Sequence, residues 1–144
     1  MKNKNINIIG GGCAALSLAR LSDHLPDYNF NIYSGDESKV KDNHYWGFWK
    51  TNVNVDAYHH ADYTWSKWAI NTNISNHVLS SNKHPYCVIK RYKWLNFCKS
   101  KFKTSKIKIF DEYIFEKNGD LFSNNKKITG DIILDSRPPD NLSN

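Results

Sequence analysis

The sequence predicts an α/β fold built on a parallel sheet, and three observations carry that prediction. A short apolar run, Ile6-Asn7-Ile8-Ile9, leads straight into Gly10-Gly11-Gly12, as a buried strand does when it feeds a glycine turn. Helix-forming residues follow the glycines. A β-prone alternating run, Phe30-Asn31-Ile32-Tyr33, comes next. Strand, glycine loop, helix and strand thus occupy Ile6 to Tyr33, the order of a βαβ unit.

Taken in order, the pattern predicts a helix from Cys13 to Leu25, with Ala15, Leu16, Leu18, Ala19 and Leu21 on its apolar face and Pro26-Asp27 stopping it. After the second strand, Ser34-Gly35-Asp36-Glu37-Ser38 reads as a turn. The stretches Asn43 to Trp49 and Tyr58 to Trp68 are crowded with aromatics and show no assignable period. His84 to Lys90 reads as a strand, because Tyr86, Val88 and Lys90 alternate with Cys87 and Ile89. Arg91 to Lys103 reads as a helix with Trp94, Leu95, Cys98 and Phe102 on one face. Lys106 to Phe110 alternates as a strand, and Tyr113 to Lys117 and Leu121 to Ile128 flank the hairpin pair Asn118-Gly119. Ile132 to Asp135 is a further buried strand, Pro138-Pro139 ends order, and residues 140–144 are expected to be a disordered tail.

With 144 residues the chain is expected to form a single domain. Its 5 Trp, 8 Tyr and 7 Phe exclude an intrinsically disordered class. No apolar run reaches the roughly 18 residues of a membrane span. The opening apolar run is too short for a signal peptide, and three cysteines without metal spacing fit a reducing compartment. A cytoplasmic location follows as the expectation. Lys plus Arg number 20 and Asp plus Glu 14, a net charge of +6. From Tyr63 to Phe110 there is no acidic residue, against ten basic ones. Such a stretch favours anionic partners. With 17 Lys but only 3 Arg, a nucleic-acid partner is not expected, since Arg is the better reader of phosphate and bases.

Gly10-Gly11-Gly12-Cys13-Ala14-Ala15 fits G-x-G-x-x-G/A. The first glycine permits a tight turn, the second lets a pyrophosphate approach the backbone, and Ala15 lets helix and strand pack closely. A strand before and a helix after are the context this motif needs. The fold class is therefore a Rossmann-like dinucleotide-binding domain with an antiparallel β-meander or hairpin insertion. An acid that would bind the ribose belongs near the end of the second strand. Ser34 stands there, with Asp36 and Glu37 just beyond.

The glycine segment through Ala19 resembles the amino-terminal flavin-binding motif of the lycopene cyclases. Asn43-His44-Tyr45-Trp46-Gly47-Phe48-Trp49 resembles their aromatic motif. Tyr86-Cys87-Val88-Ile89 with Arg91 and Phe97, and Asp135-Ser136-Arg137-Pro138, are similar to two later segments of that family, in the same order. The resemblance implies FAD as cofactor, NAD(P)H as its reductant, and a linear carotenoid such as lycopene as substrate. The implied reaction is an isomerisation in which a protonated ψ-end closes to a β-ionone-type ring. It also implies a longer architecture, of which this chain is the amino-terminal part with an incomplete sheet. The family's acidic catalytic motif and a later Gly-Asp cofactor contact are not found here, so no catalytic residue is assigned. The chain is expected to be inactive alone, with the remaining half possible on another chain, and a hydrocarbon substrate implies peripheral contact with a membrane.

Cofactor-binding candidates are thus Gly10, Gly11, Gly12, Cys13, Ala14, Ala15, Asp36 and Arg91. For Arg91 a solvated basic face is the plainer reading. His44, Trp46, Phe48 and Trp49 are candidates to face flavin or substrate, against the plainer reading of an aromatic core. His59-His60 with Asp62 make no metal site, because adjacent histidines point apart. Two other functions remain open on sequence: an FAD-dependent oxidoreductase or hydroxylase on the same fold, and a basic nucleic-acid-binding module.

Overall fold

A computed structural model describes residues 3–35, 44–103 and 105–137. Its elements are β1 (Lys4–Ile9), α1 (Cys13–Ala19), β2 (Tyr28–Tyr33), β3 (Tyr45–Trp49), α2 (Val55–His59), β4 (Tyr63–Trp65), β5 (Lys67–Asn71), β6 (Asn76–Ser80), β7 (Tyr86–Lys90), α3 (Arg91–Ser100), β8 (Ile107–Phe110), β9 (Ile114–Lys117), β10 (Asp120–Ser123), β11 (Lys126–Lys127) and β12 (Ile132–Asp135). They fall into two compact units, one of residues 1–41 with 95–144, the other of residues 42–94.

The first unit is built on a four-stranded sheet in the order β12-β1-β2-β8, parallel throughout. Ile6, Ile8 and Ile9 of β1, Phe30 and Ile32 of β2, and Ala15, Leu16 and Ala19 of α1 are buried. Continuous apolar burial is what a strand inside a parallel sheet requires. One polar residue interrupts it. Asn7 is buried, but its amide donates to the Thr129 carbonyl at 3.0 Å and its side-chain oxygen accepts from Asn31 at 2.9 Å, which offsets the cost of burying it. The edge strand β12 differs: Ile132, Ile133 and Leu134 are 38%, 42% and 40% exposed.

An antiparallel meander, β9-β10-β11, extends this unit. Its first turn places Asn118 and Gly119 at φ 56° and 80°, its second Asn124 and Asn125 at φ 47° and 63°. Two successive left-handed residues match the twist of a tight hairpin. The expected strand from Leu121 to Ile128 is therefore two strands with a turn between them.

Two helices are shorter than their patterns suggest. The predicted run to Leu25 stops at Ala19, because the chain tightens into i→i−3 bonds: Leu21 N–H to Leu18 at 3.0 Å, His24 to Leu21 at 2.9 Å, Leu25 to Ser22 at 3.1 Å. Ser22 and Asp23, which compete with helical bonding, lie in this segment. Likewise α3 ends at Ser100 rather than Lys103, with its last turn drawn in by the Lys101 N–H to Cys98 bond and the Ser100 hydroxyl on Phe97 O.

The second unit contains an antiparallel sheet in the order β3-β7-β4 and a separate β5-β6 hairpin. Cys87 and Ile89 of β7 are fully buried, and Phe48 and Trp46 of β3 sit opposite them in register. Tyr45, Gly47 and Trp49 take the other face, as strand alternation demands. Gly47 has a specific cause: a Cβ there would run into the Tyr86 phenol, which lies over the strand at that point.

Candidate functional site

The carboxyl ends of the parallel strands meet the glycine loop, the place where open α/β sheets bind ligands. Gly10 takes φ +101°, a conformation that side chains rarely adopt, and a Cβ there would stand 2.6 Å from Ser136 Oγ. Its N–H donates to Tyr33 O at 2.8 Å, which ties the loop to the end of β2. Ser136, just past β12, closes the other side by donating from its hydroxyl to Ile9 O at 2.8 Å. Gly12 is different. Its backbone is extended (φ −80°, ψ −166°), it caps α1 with its carbonyl on Leu16 N–H, and a Cβ there would meet nothing within 4 Å. The chain thus leaves open space over Gly12, which a phosphate group would fill. Ala15 is buried against the sheet, as close helix–strand packing requires, while Ala14 is exposed and Cys13 half-buried beside Ser17.

Beside the loop lies a hollow of about 160 Å³, lined by Gly10, Tyr33, Gly35, Glu112, Tyr113 and Arg137 among others. A second, more polar hollow of about 480 Å³ shares Tyr33 and Glu112 and reaches Ser123, Lys126 and Lys127. Tyr33 and Phe110, adjacent ends of β2 and β8, stack at 5.1 Å. The Glu112 carboxylate accepts the Ser123 hydroxyl. Burial, with Glu112 nearby, raises the Tyr33 phenol above its usual range. Arg137 grips Asp135 through Nε at 3.0 Å and Nη2 at 2.6 Å, and donates from Nη1 to Ile114 O at 2.7 Å. That hydrogen-bonded guanidinium holds the Asp135 carboxyl below the ordinary carboxylate value.

Ser34 stands at the end of β2, where a ribose-binding group is expected. That residue is buried, with its hydroxyl on Gly35 O at 3.4 Å. Asp36 lies outside the described residues. The carboxylate that does line the hollow is Glu112, two residues beyond β8. Sequence spacing from the glycines gives no sign of it. Only the pairing of Tyr33 with Phe110 in the β2–β8 register brings it to the end of β2.

The remaining candidates belong to the unit of residues 42–94. Arg91 opens α3 and donates its N–H to His44 O at 2.9 Å. The His44 ring meets Trp46 edge-on at 5.8 Å. Trp46 and Phe48 share the face of Cys87 and Ile89, whereas Trp49 is half exposed and packs on Tyr86 at 5.1 Å. His44, Trp46, Phe48 and Trp49 therefore do not form one lining. Asp62 accepts from the Lys90 N–H at 2.8 Å and from Lys93 Nζ at 3.0 Å, so its carboxylate ties the end of the sheet to α3.

The fold and loop define an α/β dinucleotide-binding type of domain, and solved structures share it. The complex of CtdE with FAD and its substrate 4 matches with a TM-score of 0.61 at 15% identity over 92% of this chain and 37% of that one. A variant of 2-methyl-3-hydroxypyridine-5-carboxylic acid oxygenase matches with 0.61 at 14% over 92% and 39%. A salicylate hydroxylase substrate complex matches with 0.53 at 14% over 93% and 36%. At such identities the likeness establishes the fold, and this chain spans under two fifths of the length of those proteins. No curated protein matches the chain. The family profile described as lycopene cyclase protein matches residues 5–143, and the chain belongs to that family.

Proposed function

We propose that this chain is the cofactor-holding part of a lycopene cyclase-type flavoprotein, with FAD seated on the glycine loop. The observation that carries the reading is the open space over Gly12, in a glycine loop at the carboxyl edge of a parallel sheet, in a chain of this family. Gly10 to Ala15 would bind the pyrophosphate through backbone N–H groups. Glu112 would accept the ribose hydroxyls, an uncharged donor set that a carboxylate suits. Ser123 fixes its orientation. Bound and reduced, FAD supplies negative charge that stabilises cationic character in a nearby substrate.

The substrate in this reading is a linear carotenoid. A proton adds to its ψ-end, the ring closes and a proton leaves, so the net change is isomerisation and electrons balance without an oxidant. NAD(P)H serves to keep the flavin reduced. None of the described side chains is assigned as the proton donor.

Gly12→Val is the discriminating variant. Extended backbone accepts valine, and no protein atom lies in its way. The expected result is micromolar FAD binding by the parent chain, read by flavin fluorescence quenching, and loss of at least about tenfold in the variant with an unchanged circular dichroism spectrum. Equal binding by both proteins would sink the cradle. A flavin-dependent hydroxylase is the second reading, favoured by the oxygenase and hydroxylase neighbours. It predicts NAD(P)H-driven oxygen consumption, which a cyclase does not need.

A further inference from the structure

Six aromatic rings form an unbroken chain across one face of the β3-β7-β4 sheet and onto the β5-β6 hairpin. Tyr45 and Tyr63 lie 6.2 Å apart, Tyr63 and Trp65 5.9 Å, Trp65 and Tyr86 6.3 Å, Tyr86 and Trp49 5.1 Å, and Trp49 and Trp68 6.3 Å. Strand alternation puts Tyr45, Trp49, Tyr63, Trp65 and Tyr86 on the same side of the sheet. Tyr86 is the link, since it pairs with Trp49 on one side and with Trp65 on the other. Gly47 keeps that link open, because its missing Cβ leaves room for the Tyr86 phenol over β3.

Every ring of the chain is Trp or Tyr, and none is Phe. Phe would bury as much apolar area. What sets indole and phenol apart is that each gives up one electron to a strong oxidant and releases its N–H or O–H proton as it does so. Electron tunnelling falls off exponentially with the gap. Rings in contact therefore exchange an electron far faster than rings with other side chains between them.

Exposure gives the chain an outlet. Tyr63 is 57% and Tyr45 44% exposed, so their phenolic protons pass straight to water and a soluble reductant reaches them. Trp68 and Tyr86 are half-buried. Sulfur is a common target of oxidation where it is accessible, but the one sulfur of residues 42–94 is Cys87, which is fully buried. The oxidisable groups that this unit presents to solvent are the rings.

We propose that the ring chain carries an oxidising equivalent, delivered by an oxygen-derived radical, from its tryptophans to Tyr63 and Tyr45, where a soluble thiol removes it. The oxidant takes one electron from an indole, whose N–H proton goes to water. A neighbouring phenol returns an electron to the indole and loses its own proton to water, while the indole nitrogen takes a proton back. The thiol then gives a hydrogen atom to the phenoxyl radical. The oxidant ends reduced, the thiol ends as a thiyl radical, and the protein is unchanged. This goes beyond the reading of FAD binding and uses residues of the 42–94 unit alone.

The test is pulse radiolysis of the full chain without added flavin, with the azide radical as oxidant because it attacks indole faster than phenol. The expected result is loss of indolyl absorbance matched by growth of phenoxyl absorbance, at a rate independent of protein concentration. A nitroso spin trap should then label Tyr63, located by peptide mass spectrometry. Tyr86→Phe keeps the ring and removes only the hydroxyl. It should leave a long-lived indolyl fraction, on Trp49 and Trp68, that the parent clears. Tyr63→Phe/Tyr45→Phe should move the label to Tyr86. Both of those positions are exposed, so that variant should keep the parent fold, checked with Tyr86→Phe by melting curves. Absent phenoxyl growth, a rate proportional to protein concentration, a label that stays off Tyr86 in the double variant, or Tyr86→Phe decaying like the parent would overturn the proposal. A chain that binds FAD but passes no radical refutes this inference alone; one that passes the radical but binds no FAD refutes only the cofactor reading.

Discussion

Two glycines two positions apart in one loop differ in what the fold asks of them. Gly10 is required by the fold, through its positive φ and the Ser136 hydroxyl against it, whereas nothing in the chain requires Gly12 to lack a side chain. Gly12 is therefore the loop position at which a substitution tests the proposed cofactor contact without disturbing the fold. Acid–base behaviour is also set residue by residue. Asp62 is held below the ordinary carboxylate value chiefly by the Lys90 backbone N–H, with Lys93 adding to it. A carboxyl depressed in the folded state contributes stability that is present above its unfolded value, about 3.9, and is lost as pH falls through the folded value. Asp135 behaves the same way through Arg137. The parent chain is expected to lose stability below about pH 4. Asp62→Asn should flatten that loss, measured as urea midpoints from pH 6 downward; an unchanged slope would mean Asp62 is not coupled to folding. At this scale the glycine motif was legible because its chemistry is local. Glu112 was not, because its place beside Gly10 depends on a strand pairing that no local pattern encodes.

Elements were legible where apolar residues cluster or alternate, whether or not the fold then buries them. β1, β2, β7, β8 and β12 show as apolar or alternating runs, and each forms close to its predicted bounds. The middle resisted reading because Trp and Tyr occupy both faces of β3, so periodicity carries no contrast there. The meander shows a related gap. Asn118-Gly119 announces a turn, but Asn124-Asn125 hides a second one, because asparagine is only the next-best residue after glycine for left-handed backbone. This gives a prediction for the element. Asn125→Gly should leave thermal stability equal or raise it by up to about 1 kcal/mol, while Asn125→Val should lower it by about 1–2 kcal/mol, through left-handed strain on a β-branched residue. Calorimetric melting of both variants decides it, and equal melting temperatures would show that the turn does not hold the φ of 63° in solution.

For the molecule as a whole, the parallel sheet joins strands from opposite ends of the described sequence. β1 lies between β2 and β12, joining residues more than 120 positions apart in sequence, such as Ile6 with Ile132. The sequence shows both strands, but not that they pair; that is a property of the closed fold. Beyond β12 the described residues provide no further strand, and its three aliphatic side chains are each about two fifths exposed. Strands of parallel sheets are normally covered on both faces, and a long apolar edge invites pairing with another chain. The lone chain should therefore self-associate through β12, by an amount that rises with concentration. Ile133→Lys places a charge on this edge, where its neighbour Asn7 in β1 is polar and the position is 42% exposed. The variant should sediment as monomer at concentrations where the parent forms larger species, with its melting temperature kept within a few degrees. If parent and variant sediment alike as monomers, the edge is protected by the chain's own residues. If they associate alike, the contact lies elsewhere, and the exposed aromatic face of residues 42–94 becomes the surface to block next, with Trp65→Ser as the variant that removes a ring in contact with both Tyr63 and Tyr86.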